Sequence, residues 1–405
     1  QQGKGQHEGA QYHQQGDGRQ GVKHPFGQAG GPTAQIVALG TGQFAALTTN
    51  QVKSLTGSQV AAMETIDLTQ FSSDQIQALT ASSVSQLTTG QVAALKTNQI
   101  TALTSSQFRS MGTAQVVALS TSQAKAMGTA QVVALTAEQV SALETADLAQ
   151  LGTDSVAALS ASQVKALTTD QVVALSTDQI GKLSATQVGA MNAAQVAAIE
   201  TDDLALMTAT EVAAFSTAAV ANLTTDQVAA LQTKQVQGLS TAQVLSLTTT
   251  QVSALTSDQL KALSTAQLAA MDTAQFAALT SDQVSAFKNN QIAAFELVDL
   301  QALGTGQIAA LTSTQVQNLT TAQVAALSTD QLAAMEAQDV ASLSKAQLQA
   351  LTTDQTVALT TEQLLALRPV QVSSLSLQSV AALTTDQVPA FTTAHMTALG
   401  TAQVA

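Results

Sequence analysis

The feature that most constrains this chain is a period of eight residues. With Leu39 as position 1 of an octad, Leu47, Leu55, Met63, Phe71 and Leu79 follow at steps of eight, and the series runs to Leu399 without insertion or deletion. Every position 1 is Leu, Met, Phe or Ile. Position 6 is almost as strict (Phe44, Val52, Val60, Leu68, Ile76), with only Ala124 and Thr356 departing from the pattern. Position 5 is usually Gln, position 2 usually Thr or Ser, and position 8 small, as in L-T-T-D-Q-V-A-A from Leu223 to Ala230.

A continuous α-helix does not fit this period. Eight residues at 100° each leave a drift of about 80°, so the apolar side chains would spiral around the helix instead of forming a stripe. A strand fails as well, because positions 1 and 6 have opposite parity and would face opposite sides. Thr or Ser followed three residues later by Gln is the capping box, and the flanking apolar pair at positions 1 and 6 is the hydrophobic staple. Each octad therefore encodes a helix start, about six helical residues and the next start. Pro369 falls at N1, where proline is tolerated, and Gly at position 2, as at Gly40 and Gly112, is acceptable as a cap. Pro389, at N5, removes one intrahelical bond and runs against the pattern.

One octad cannot fold alone. Burying one Leu and one Val gives about 3–6 kcal/mol, whereas ordering eight residues costs about 12 kcal/mol. Stacked octads share a core, which is the logic of a solenoid. The expected fold is an all-α solenoid of very short capped helices, one per eight-residue repeat, over residues 31–405. Residues 1–30, rich in Gln, Gly and His, read as a polar arm. The array stops in mid-octad at Ala405, without a polar cap. It is therefore expected to continue in a longer parent chain or to dock on something, with the apolar faces of Leu399 and Val404 as the self-assembly surface.

Composition narrows the function. Aromatic residues are 2% of the chain and charged residues 10%, so the core is thin and aliphatic. The net charge of -13 opposes nucleic-acid binding, which needs a basic footprint. No apolar run reaches the length of a membrane span, and the absence of Cys excludes a disulfide scaffold. Ser and Thr are explained by the caps, and no nucleophile–base constellation stands out, so no enzyme is expected.

Five octads replace the cap pair with acids: Glu64 and Asp67, Glu144 and Asp147, Glu200 and Asp203, Glu296 and Asp299, Glu336 and Asp339. Acids near a helix N-terminus suit its dipole, and Asp at N3 can replace Gln as a capping acceptor; this reading is preferred. The alternative is a row of weak calcium sites, since calcium favours carboxylate and carbonyl oxygens. No other cofactor is implied. His7, His13 and His24, with Glu8 and Asp17 nearby, match no metal-ligand spacing. His395 takes the place of Gln at position 5 and reads as a capping variant. The acidic octads are 10, 7, 12 and 5 octads apart. If they share one side of the rod, a turn holds roughly 2.4 octads, or roughly 19 residues. With layers 8–10 Å apart the rod would be roughly 160–200 Å long.

The octads resemble the L-T-T-x-Q-V-x-A-L arrays of large bacterial secreted and cell-surface proteins of the adhesin or haem-utilisation type, over residues 39–405. The resemblance implies an extracellular or cell-surface location. Leu135 to Leu143 (L-T-A-E-Q-V-S-A-L) also looks like the opening helix of repeats in plant-pathogen DNA-binding effectors. Their longer period, base-reading loop and basic charge are missing here, so the likeness is one of capping. Together these features predict a structural extracellular protein: the subunit of a filament or surface rod, a homopolymer built head to tail. The alternative is the stalk of an adhesin whose binding domain lies elsewhere. Neither reading involves nucleic acid or membrane insertion.

Overall fold

The computed structural model describes residues 31–404. The arm at residues 1–30, with its three histidines, lies outside the described residues. Every octad but the one holding Pro389 forms one helix of four to six residues, from Pro32–Val37 to Thr401–Val404. The capping box explains the starts. At Thr88–Gln91, the Gln91 N–H donates to Thr88 Oγ1 at 3.1 Å and the Thr88 N–H donates to Gln91 Oε1 at 2.8 Å. The helix Thr89–Ala94 then ends at Leu95, whose backbone is extended (φ -57°, ψ 138°) and whose N–H donates to the Val92 carbonyl at 3.1 Å. The same sequence of cap, short helix and extended position 1 repeats along the chain. Pro369 sits at N1 of the helix Pro369–Val372. At Pro389 the α-helix is lost and a 3-10 turn, Val388–Ala390, takes its place, as the missing N–H requires.

Positions 1 and 6 line one continuous aliphatic core, with Val60, Val92 and Val140 fully buried at position 6 and Met63, Leu95 and Leu143 nearly so at position 1. Thr356, a departure from the position 6 pattern, is also buried; its hydroxyl donates to the Thr352 carbonyl at 3.0 Å. Phe295 stacks edge-on against both Phe276 and Phe287, at 4.9 and 5.2 Å between ring centroids. Small residues let the layers approach: a Cβ on Gly189 would lie 3.0 Å from the Ala214 carbonyl oxygen.

With two exceptions, each helix packs against the helix three octads further along, from Pro32–Val37 to Thr401–Val404. The Gln at position 5 fixes this stacking. Gln91 Nε2 donates to the carbonyls of Val60 and Met63, 31 and 28 residues earlier, at 2.8 Å each. Gln259 does the same to Val228 (2.8 Å) and Leu231 (2.6 Å). The position 6 carbonyl also accepts from the next position 1 N–H, as Val60 does from Met63 at 3.2 Å, whereas the position 1 carbonyl has no backbone donor. One buried amide thus accepts from its own cap through Oε1 and donates to two carbonyls in the preceding layer through Nε2.

The winding differs from the expectation. Stacking partners lie three octads apart by helix and 28 to 31 residues apart by Gln hydrogen bond, so a turn holds between three and four octads and not 2.4. The physical reason is that the layers are tied by the Gln amides, with no requirement that the acidic octads face one way. The five octads from the Asp299 helix to the Asp339 helix make about 1.3–1.7 turns, so these two acids do not share a side.

Candidate functional site

In all five acidic octads the Glu is exposed and the Asp is buried. The Asp stands at position 5, in the register of the Gln amide, but it accepts hydrogen bonds and donates none when ionised. Neither part of the expected capping role is present. The Glu makes no side-chain cap bond, and no capping box forms in the helices Thr65–Leu68, Thr145–Leu148, Thr201–Leu206, Leu297–Ala302 or Ala337–Val340. Instead, in three of the five octads, the Asp faces a hydroxyl of the preceding layer, 26 residues earlier. Thr41 stands beside Asp67 and Thr121 beside Asp147, while Ser313 Oγ donates to Asp339 Oδ1.

Burial pushes the carboxyls of Asp67, Asp147 and Asp339 above the usual carboxylate range. The neighbouring Glu64, Glu144 and Glu336 add like charge, which the hydroxyls partly offset. Asp299 is pushed up to about 6 by burial, then by Glu296 and Asp272. Asp147 Oδ2 is buried without a hydrogen-bond partner. Glu336, Asp339, Ser313 and Leu311 line a depression of about 330 Å³. Among the described residues no three acids or histidines gather as a metal cluster, so any cation here would draw on backbone and hydroxyl oxygens as well.

His395 takes both parts of the Gln role. Its Nδ1 accepts from the Thr392 N–H at 3.3 Å, and Nε2 lies 2.8 Å from the Leu367 carbonyl, 28 residues earlier. Ser83, also at position 5, reaches the Leu55 carbonyl at 3.0 Å across the same spacing. Leu399 is half-buried and Val404 exposed; with Phe391, Met396, Val380 and Leu383 they line an apolar recess of about 140 Å³.

The interlayer bond of Gln is what reading the octad as a capping box leaves out. A signal for it is in the sequence. A capping box accepts Glu as readily as Gln, yet Glu occurs at position 5 only at Glu211. There it caps Thr208 at 2.7 Å and stays half-buried, because it has no donor for the layer below. The near exclusion of Glu marks a need for an N–H donor.

Hydroxyls at position 2, such as those of Thr48 and Thr88, are engaged in caps, and no helix among the described residues is long and apolar enough to cross a membrane. The ALTTAQ repeat profile matches residues 32–57, 60–97, 92–128, 100–137, 140–177, 196–233, 228–265, 253–289, 292–329 and 332–369. These segments cover well over half of the chain, which belongs to the ALTTAQ repeat family. The family goes with large bacterial secreted and cell-surface proteins of the adhesin type. The location is extracellular or at the cell surface, and the repeat is structural and non-catalytic. A search of curated proteins gives no match to the chain.

Proposed function

From membership of the ALTTAQ repeat family, we propose that this array is an extended rod outside the cell whose copies join end to end into a filament. The observation that carries the rod is the stacking of helices on those three octads further along, which runs from one end of the described residues to the other. Length then grows in proportion to octad number, and stiffness comes from the buried Gln amide that most octads carry. Such a stack exposes an apolar end unless another layer covers it. In the filament reading a second copy supplies that layer on the recess of Phe391, Leu399 and Val404. In the stalk reading further octads of a longer chain do so.

Electron microscopy of the full chain across a range of concentrations tests the proposal. Fibres that lengthen with concentration, and that are lost with Leu399→Glu and Val404→Glu together, are expected. Single short rods at every concentration would refute the filament and favour the stalk. Deleting residues 1–30 tests separately whether the arm contributes to the joint; weaker assembly is the expected result.

A further inference from the structure

We propose that the five Glu-x-x-Asp octads are divalent-cation sites of the calcium class, in which an ion held by the paired carboxylates takes the place of the Gln amide between layers. The inference starts from what position 5 must supply. Wherever Gln stands there in the stacked layers, its Nε2 brings partial positive charge to two backbone carbonyls, as Gln115 does to Val84 (2.9 Å) and Leu87 (2.7 Å). Ser83 and His395 also direct a polar hydrogen or ring nitrogen to the carbonyl 28 residues earlier. Asp147 occupies the same register against the carbonyls of Val116 and Leu119, but brings only oxygen. It is 1% exposed, and Oδ2 has no partner. A buried carboxylate with an unpartnered oxygen and a second carboxylate beside it is unfavourable alone, and carboxylate oxygens suit calcium.

The pairing within the sequence is a separate observation. Glu occurs at position 2 only in the octads that carry Asp at position 5, and Asp occurs at position 5 only where Glu stands at position 2. Were Asp merely a poorer Gln, Thr or Ser would serve as well before it. Were Glu merely suited to a helix start, Gln would accompany it. The unequal gaps of 10, 7, 12 and 5 octads do not follow from copying one longer unit. The two carboxylates occur together in every such octad, and in four of them the Glu raises the Asp carboxyl by like charge, which a cation explains and a dipole does not. The interlayer hydroxyl, Thr121 or Ser313, satisfies one carboxylate oxygen and leaves the other for the ion.

This inference holds whether or not rods join end to end. Equilibrium dialysis of the full chain with calcium chloride as the only divalent salt tests it. Saturable binding of close to five ions per chain is expected, with dissociation constants of about 10⁻⁴–10⁻³ M, the range of extracellular modules. Glu144→Thr with Asp147→Gln restores the majority octad and preserves folding; it should remove one ion per chain, and reverting all five octads should remove all binding. Calcium should also raise the melting temperature of the native chain and leave that of the fully reverted chain unmoved. Absence of saturable binding below about 10 mM calcium would overturn the proposal, as would a stoichiometry unchanged by the reversions.

Discussion

Replacing Gln259 by Ala removes the bonds that join one layer to the next at a defined point. The lost contacts are Nε2 to Val228 (2.8 Å) and Leu231 (2.6 Å), and Oε1 from the Thr256 N–H (2.7 Å). Val228 retains a backbone donor in the Leu231 N–H, and Thr256 is exposed to water, but the Leu231 carbonyl loses its only donor. At about 1–1.5 kcal/mol for each net bond, the local loss is about 3–4 kcal/mol. A stack of many layers does not unfold as one two-state unit, so the assay must be local. Hydrogen exchange of peptides spanning residues 228–263 should show protection reduced by roughly 100-fold or more. Gln259→Glu keeps the cap acceptor and reverses the interlayer donor; it should be at least as damaging at pH 7. Gln317, exposed and outside position 5, is the control, and Gln317→Ala should change protection little. A Gln259→Ala chain whose protection matches that of Gln317→Ala would refute the reasoning.

Three further outcomes follow from the core and the acids. Thr356→Val replaces a buried hydroxyl, bonded only to its own helix, by the commonest residue at that position; local stability should rise by about 1 kcal/mol, read by hydrogen exchange. Ala124→Val should likewise gain about 1 kcal/mol, and a loss would show that neighbouring side chains have closed over the site. Burial and the neighbouring acids push the Asp299 carboxyl up to about 6 from the usual 3.8, so the folded state binds its proton more tightly. Its charged form is disfavoured by about 3 kcal/mol above pH 6, and the penalty is relieved as pH falls toward 4. In EDTA, protection around Asp299 should rise between pH 7 and pH 4.5, and Asp299→Asn should flatten that dependence; protection that falls with acidification in both chains would contradict it.

Much of the fold was legible because its rules are local. Thr88, Gln91 and Leu95 define a helix start and stop within eight residues, and Leu or Val at positions 1 and 6 can only be core in such an arrangement. The second role of Gln91, as donor to Val60 and Met63, was hidden because the capping box already accounts for a Gln there. The near absence of Glu at position 5 is the trace of that role in the sequence. The winding was not legible, since no octad contains its own interlayer contact and the spacing of Asp67, Asp147, Asp203, Asp299 and Asp339 imposes no common side. For the acids, the sequence shows the pairs but not their environment: Asp at position 5 is one carbon shorter than Glu and does not return to the cap. Pro389 behaved as proline in a helix interior does.

The central claim is that residues 31–404 form one continuous rod with between three and four octads per turn. At 8–10 Å per layer, its length is roughly 100–160 Å. Small-angle X-ray scattering of the full chain at low concentration reads this directly. The account predicts a radius of gyration of roughly 30–48 Å with the scattering profile of a rod; a value near 22 Å, expected for a compact domain of this length, would contradict it, as would one near 73 Å, expected for an unfolded chain.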